Sequence, residues 1–345
     1  MGRPMRRWLP FLSVVLVAAL VGAGCTSSPL PSGSGSPDAV VETSAPPPAA
    51  SPTPLPTPTG PPLTATLAAS SHFLLFVGGS LLTHAVTRIE GQDVDASGPR
   101  AVMNGAPTNP AEAVHAPSLS PDRTRVVYVQ GPPDSVQTTA QGTLILQNVD
   151  GTGARVLVPG GAGSPAWSPD GKLIAFLHDG HNLAVMSADG SGRRNLDLTL
   201  SVNPHLAWSP DGTKIAVGSG NPSRLAIVDV AAATFTYVGS GGVQQDNPAW
   251  SPDGKQLVYY QAGANALIMS NPDGSAARQL TVCVHPECIR DLEPSWSPDG
   301  LFIAFARFAP ATAREGGEQI YLIRSTGGSP TKLTSGLEEH ASPSW

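Results

Sequence analysis

The stretch Ala166-Trp167-Ser168-Pro169-Asp170-Gly171 decides the fold, because the chain repeats it. The aligned tryptophan positions follow one another at steps of 48, 41, 42, 46 and 49 residues, with Leu119 in place of the first tryptophan. The other copies are Ser118-Leu119-Ser120-Pro121-Asp122, Ala207-Trp208-Ser209-Pro210-Asp211-Gly212, Ala249-Trp250-Ser251-Pro252-Asp253-Gly254, Ser295-Trp296-Ser297-Pro298-Asp299-Gly300 and the half-copy Pro343-Ser344-Trp345. A period of this length indicates an array of repeated structural units.

Each copy contains the residues of a tight turn between two strands. Proline presets φ at the second turn position, aspartate suits the third, and glycine takes the left-handed conformation at the fourth. An apolar strand follows each turn, as in Leu173 to Leu177, and a third strand such as Leu183 to Met186 ends at an Asp-Gly turn. A short fourth strand completes the unit. Four antiparallel strands that repeat in this way predict the blade of a β-propeller.

The two ends of the repeat region complement each other. The last copy stops at Trp345 without its hairpin, and residues 72–104 contain apolar strands without a Trp-Ser-Pro-Asp start. We therefore expect residues 341–345 to supply the innermost strand of the first blade. The predicted fold is all-β: a six-bladed propeller of four-stranded antiparallel blades, with the ring closed by the C-terminal strand and no exposed ring edge.

The repeats resemble those of the TolB propeller family, whose units read Pro-x-Trp-Ser-Pro-Asp-Gly and continue as an apolar strand. Ile174-Ala175-Phe176 and Ile303-Ala304-Phe305 match that continuation. The resemblance covers residues 72–345 and implies a role in the bacterial envelope, where TolB is the soluble partner of Pal. The α/β domain that precedes the propeller in TolB has no counterpart in this sequence, and TolB is not lipidated. A shared fold does not by itself fix a function.

The first 25 residues have the pattern of a secretion signal. Arg3, Arg6 and Arg7 precede an apolar run of 14 residues from Trp8 to Val21, which is too short to span a bilayer. The run ends in Val21-Gly22-Ala23-Gly24-Cys25, which resembles the lipobox of bacterial lipoproteins. The sequence thus predicts an exported protein that is anchored to the membrane by acyl chains on Cys25. Ordinary secretion with a chance cysteine is the alternative.

Residues 26–67 are predicted to be a tether between the anchor and the propeller at 68–345. They hold 12 of the 36 prolines and only two charged residues, Asp38 and Glu42. Such a composition cannot bury a core and favours an extended polyproline II conformation.

Charge and missing motifs narrow the possible functions. Removal of the signal takes the net charge from −6 to −9, because the signal contains three arginines and no acid. An acidic domain without a basic stripe argues against a nucleic-acid partner. The sequence contains no Gly-x-Ser-x-Gly, His-Glu-x-x-His or phosphate-binding loop and no motif that implies a cofactor. We expect a monomer that is not an enzyme.

Binding residues are expected around the central channel, on the face whose loops differ between blades. The polar residues just before each inner strand are candidates for the channel mouth. They are His115, Ser164, His205, Asp246 with Asn247, Asp291 with Glu293, and His340. Three histidines with carboxylates suit a divalent metal or acid–base catalysis, whereas a merely wet channel mouth explains the same residues without chemistry.

Cys283 and Cys288 enclose a four-residue loop that contains His285. In an exported protein such a pair is predicted to form a disulfide, and a Cys-His-Cys metal site is the alternative. The repeated tryptophans are predicted to pack between blades rather than to stack on sugars.

Three functions remain after these arguments. The first is a module that binds an envelope protein or peptide. The second is a metal-dependent lyase or hydrolase that uses the channel mouth. The third is an accessory propeller for a separate serine peptidase.

Overall fold

The structure is a computed structural model that describes residues 73–80, 85–93, 101–103, 113–131, 142–310, 317–335 and 338–345. The predicted signal, Cys25 and the predicted tether lie outside the described residues. Every regular element of the described residues is a β-strand, and the strands pair into antiparallel sheets, as the repeats predict. Among these residues, no helical segment reaches the length and hydropathy that crossing a bilayer requires.

The first sheet joins the two ends of the described chain. Its strands are β1 (Phe73–Ser80), β2 (Ala85–Asp93), β3 (Ala101–Met103) and β23 (Glu338–Ser344), in the order β23-β1-β2-β3. β23 is antiparallel to β1, and Leu75 faces Ser344 while Gly78 faces His340. The last strand of the chain therefore forms the edge of the sheet that begins with the first described strand.

The second sheet has seven strands where the repeats predict two separate units of four. Its strands are β4 (Ala113–Leu119), β5 (Arg125–Gly131), β6 (Gly142–Asn148), β7 (Arg155–Trp167), β8 (Leu173–His178), β9 (Asn182–Ser187) and β10 (Arg194–Asn195). β7 pairs with β6 through its first half and with β8 through its second half. Gly160 and Gly161 have φ values of 86° and 68°, which allow this strand to turn from one unit to the next.

Three further sheets have four strands each, in chain order. They contain β11 (Ala207–Trp208), β12 (Lys214–Ser219), β13 (Arg224–Asp229) and β14 (Thr234–Tyr237); β15 (Gln245–Trp250), β16 (Leu257–Gln261), β17 (Ala266–Ser270) and β18 (Arg278–Gln279); and β19 (Arg290–Trp296), β20 (Phe302–Phe308), β21 (Glu318–Arg324) and β22 (Thr331–Lys332).

The predicted hairpin turns form with the expected chemistry. In the turn after β11, Ser209 Oγ donates to Asp211 Oδ1 over 2.6 Å, and the Thr213 N–H donates to the same oxygen over 3.0 Å. Gly212 has a φ of 69° and donates its N–H to the Ser209 carbonyl over 2.9 Å. The same serine–aspartate bond is present at Asp122, Asp170, Asp253 and Asp299.

The core lies between neighbouring units rather than inside one. Both faces of β8 are buried, because its side chains alternate between the preceding and the following unit. Ile174 and Phe176 pack in one cluster with Trp167, and Ala175 and Leu177 pack in another. Truncation of such a large buried side chain to alanine costs about 2–5 kcal/mol, so these contacts fix how each sheet stacks on the next.

Candidate functional site

The innermost strands share one irregularity that shapes the site. The pairing register of β4 shifts between His115 and Ser118, and β7, β15 and β19 shift at the equivalent place. β23 shows the same shift against β1. Each shift marks a β-bulge, where one strand contains extra residues that have no partner across the ladder.

At each of these five bulges one residue adopts a left-handed backbone conformation, and His205, at the equivalent place just before β11, does the same. These residues are Ala116 (φ 46°), Ser164 (46°), His205 (76°), Asn247 (52°), Glu293 (54°) and Ser342 (52°). A proline follows five of them, and Leu206 follows the sixth. Proline lacks an N–H for the ladder, so it is accommodated at a bulge of an edge strand.

The six stretches line a single open cavity of about 380 Å³. Its wall consists of residues 116–119, 164–167, 205–208, 247–250, 293–296 and 342–345, with Pro169 and Pro252. The cavity thus runs from the bulges to the tryptophans and reaches prolines of the hairpin turns. The turn side, which the repeats suggested to be purely structural, borders the cavity as well.

Glu293 is the one acidic side chain among the residues that line this wall. Glu293 Oε1 lies 3.3 Å from His205 Nε2, and Glu293 Oε2 accepts a hydrogen bond of 2.6 Å from the Ser342 N–H. The Glu293 side chain is 17% exposed and that of His205 is 31% exposed. The contacts link three of the stretches that line the cavity, while both side chains remain partly exposed.

The structure brings four of the predicted mouth residues to the cavity and places others elsewhere. Ser164, His205, Asn247 and Glu293 line the wall, and each has a left-handed backbone conformation. His115 does not line the cavity; its side chain is buried, and the adjacent Ala116 lies in the wall instead. The backbone of His340 pairs with Gly78, and its side chain lies outside the described residues.

Asp246 and Asp291 contribute to packing between and within units rather than to the cavity. Asp246 accepts a hydrogen bond of 2.9 Å from Asn203 Nδ2 and sits directly against Gly218, where a side chain would collide with it. This contact explains the glycine.

Asp291 is fully buried and receives two bonds from Arg307, through Nε at 2.7 Å and Nη2 at 2.8 Å. Burial disfavours the charge on Arg307, but its hydrogen bonds to the Asp291 carboxylate and the charge of that carboxylate raise the pKa of Arg307 above the ordinary value. The guanidinium also lies over the rings of Phe305 and Tyr321. This buried bidentate pair is structural, since no atom of Asp291 reaches solvent.

The histidines do not assemble a metal site among the described side chains. Within that set, the one group of three potential ligands whose atoms lie within 4.8 Å of one another is Cys283, Cys288 and Asp291. The two cysteines are joined by a disulfide, so neither offers a thiolate to a metal, and Asp291 is occupied by Arg307.

The tryptophans serve both the core and the cavity wall. Trp167, Trp208 and Trp296 are less than 10% exposed and belong to clusters between units. Trp208 Nε1 donates to the Ala166 carbonyl of the preceding copy over 3.0 Å, and Trp345 Nε1 donates to the Ser295 carbonyl in the same way.

Sequence reasoning missed Ala116 and Ser342 as wall residues and placed some candidates one or two positions early. The prolines at 117, 165, 248, 294 and 343 contained the missing signal. A proline within a strand indicates a bulge, and the residue before it then points to the cavity.

Comparisons with known proteins agree with this architecture. Residues 83–345 match the family described as the TolB beta propeller domain. A TolB homologue of Chlorobium luteolum is 32% identical over 139 residues, which cover 39% of this chain and 29% of the homologue. A Bacillus subtilis protein described as the uncharacterized peptidase YuxL is 27% identical over 192 residues, which cover 43% of this chain and 29% of that protein. The matched parts thus span about three tenths of the length of these curated relatives.

The crystal structure of TolB from Acinetobacter baumannii has the same fold. It superposes with a TM-score of 0.64 at 18% identity, over 80% of this chain and 67% of that chain. The family match extends over most of the 345 residues and includes all the stretches that line the cavity. The chain belongs to the TolB beta propeller domain family.

Proposed function

We propose that this chain is an extracytoplasmic, lipid-anchored propeller of six blades that binds an envelope protein or peptide through its central cavity. The single observation that carries the proposal is the cavity wall. Six equivalent stretches of chain each hold one residue in the same left-handed backbone conformation and present a different set of side chains: Ala116, Ser164, His205, Asn247, Glu293 and Ser342. A repeated scaffold with varied side chains in an open cavity suits recognition of a ligand.

The six-bladed ring is supported by the strand order. The seven-stranded sheet corresponds to two units joined by β7, and the other four sheets supply one unit each. In the first of these, β23 provides the inner edge, which is the arrangement that closes a propeller ring.

The envelope location is supported by the sequence and by the family. The basic residues, the apolar run and Cys25 form the signal and anchor of the proposal, residues 26–67 form its tether, and residues 68–345 form the propeller. Relatives named TolB share the propeller. The disulfide between Cys283 and Cys288 is compatible with an oxidising compartment.

Site-specific photo-crosslinking in intact cells tests the binding function. The full chain carries p-benzoylphenylalanine at Leu206, which lines the cavity next to His205 and has no left-handed constraint of its own. We expect ultraviolet light to join this variant to a discrete envelope protein. The matched control places the same group at Asn195, an exposed residue on the outer strand β10.

Equal crosslinking from both positions, or none from Leu206, would contradict binding through the cavity.

The anchor is tested by fractionation of the same cells, because a Cys25→Ser variant should move from the membrane fraction to the soluble fraction. Persistence of that variant in the membrane would refute lipidation at Cys25.

A further inference from the structure

Arginines on the outer strands tie neighbouring units together. Arg155 Nη1 donates to the Asp189 carbonyl over 3.0 Å, and Arg194 Nη2 donates to the Val230 carbonyl over 2.7 Å. Arg278 Nη2 donates to the Ser325 carbonyl over 2.9 Å. Each bond runs from an outer strand to the end of the third strand, or the turn after it, in the next unit.

The three arginines occupy one register position. Arg155 pairs with Leu146, Arg194 with Val185 and Arg278 with Met269, and each of these partners is the second residue after a buried leucine of its third strand. In β13 the equivalent residue after Leu225 is Ile227, and its partner across the ladder is Thr236. Threonine therefore stands at the arginine position of this unit.

The threonine borders a cleft between the β11–β14 sheet and the β15–β18 sheet. The cleft has a volume of about 560 Å³, and Thr236 and Ile227 line it from one unit. Pro272 and Trp250 line it from the next unit. Met269 and Leu322 are the third-strand residues that pair with the outer strands of their units, and Pro272 and Ser325 each follow one of them by three residues. Pro272 therefore occupies the position of Ser325, which accepts the bond from Arg278. The cleft thus lies where an arginine crosses the equivalent interface.

The cleft is negatively charged. Asp211, Asp253 and Asp273 line it, against the one ammonium of Lys214. Hydrogen bonds from the turn serines and from backbone N–H groups lower the pKa of Asp253 and Asp273, and they lower that of Asp211 to about 2. All three are ionised at neutral pH. Lys255 lies 3.6 Å from Asp253 but is 80% exposed and does not line the cleft, so it neutralises the site only weakly.

We propose that this cleft binds an arginine side chain of a partner protein, which takes the place that Arg155, Arg194 and Arg278 fill within the chain at the equivalent interfaces. The guanidinium fork donates to carboxylates and carbonyls in defined directions, which the point charge of lysine cannot reproduce. Ile227 and Trp250 supply apolar walls for the aliphatic stem. The site is separate from the central cavity and does not depend on the envelope ligand proposed above.

Saturation-transfer difference NMR on the full chain in detergent tests the site directly, because it detects weak ligands. The probe is N-acetyl-L-arginine N-methylamide, and the matched control is the citrulline analogue, which has nearly the same shape and no charge. We expect transfer to the side-chain protons of the arginine probe to be at least fivefold stronger than to those of the citrulline probe. Equal transfer to both probes would overturn the proposal.

A Thr236→Arg variant places the proposed ligand group within the chain. It should abolish the arginine signal and raise the melting temperature, since it restores the bond between units that three other interfaces possess. Thr234→Arg adds the same charge to the same strand outside the cleft and should change neither quantity. Thr236→Arg with an unchanged probe signal refutes the proposal.

Asp273→Asn offers a second variant that keeps the turn acceptor and removes one charge. It should weaken probe binding severalfold. Full binding by this variant would likewise contradict a charged arginine site.

Discussion

Two sets of equivalent residues follow opposite rules: the turn aspartates with their serines, called the hairpin-turn ring, and the left-handed residues of the cavity wall, called the cavity ring. In the hairpin-turn ring, every described copy has aspartate, as at Asp170 and Asp211, and a serine donates to it over 2.6 to 2.7 Å. In the cavity ring, only a few residues earlier, the copies differ, as Ser164, His205 and Glu293 show. The backbone is equally regular in both rings, since each cavity-ring residue has a φ between 46° and 76°.

The difference shows what each ring requires of the sequence. The turn needs a particular side chain, because its carboxylate satisfies backbone N–H groups that have no other partner. The bulge needs only a left-handed backbone, which the surrounding sheet imposes on whatever residue stands there. Residue identity at the bulge is therefore free to serve ligand recognition, whereas at the turn it serves the fold.

The largest effect is expected from a change that attacks the backbone of the cavity ring. Ser164→Val places a β-branched side chain at a φ of 46° and should lower the free energy of unfolding by about 2 kcal/mol. Ser164→Gly, which has no left-handed penalty, should be as stable as the parent or slightly more so. Urea denaturation of the pair measures the difference. Equal stability of both variants would show that the bulge relaxes and that the comparison of the two rings is wrong.

The hairpin turns were predictable from the sequence because all of their interactions are local. Ser209, Asp211 and Gly212 lie within four consecutive positions, so the local sequence alone determines the geometry of the turn. The cavity ring was predicted only in part, because a bulge depends on register against a neighbouring strand. The pairing of Asp291 with Arg307 is similar: the partners are 16 residues apart, and only the strand register shows that they face each other.

The continuous β7 strand also escaped prediction for a physical reason. Pro159, Gly160 and Gly161 are typical of a loop, and the sequence therefore indicates a break between units. The structure instead keeps the pairing, because the positive φ values of the two glycines turn the strand without ending it. Local signals give the turn but not whether the ladder continues through it.

A smaller effect is expected from side-chain deletion in the two rings. Asp211→Ala removes the acceptor for Ser209 Oγ and for the N–H and hydroxyl of Thr213, and should cost about 1 kcal/mol, a moderate value because the carboxylate is exposed. His205→Ser keeps a polar residue at the bulge and should change stability by less than about 0.5 kcal/mol. Thermal denaturation at pH 7 compares the two. A larger loss for His205→Ser would mean that the cavity ring also stabilises the fold.

The smallest effect is expected in the stability of the fold at low pH. Hydrogen bonds from Ser209 Oγ and Thr213 lower the pKa of Asp211 from its ordinary value of 3.8 to about 2 in the folded protein. Because the folded pKa lies below the unfolded one, the stability that this group contributes is complete above about pH 4 and is lost as the pH falls towards 2. Asp170 and Asp253 have pKa values lowered in the same direction by Ser168 and Ser251.

Calorimetric melting temperatures measured between pH 2 and pH 6 show whether the pH dependence of stability comes from the hairpin-turn ring or from the cavity ring. Asp211→Asn keeps an acceptor for Ser209 but no longer titrates, so the gap between the parent and this variant should narrow from pH 5 to pH 2. Because the Asp211 carboxylate is exposed and its charge is screened by solvent, the change in the stability gap between parent and variant should stay well below about 1 kcal/mol. Ser164→Gly in the cavity ring changes no ionisable group and should not reproduce the narrowing. A gap for Asp211→Asn that is constant across the range would show that the turn carboxylates act only as acceptors and that their charge does not matter to the fold.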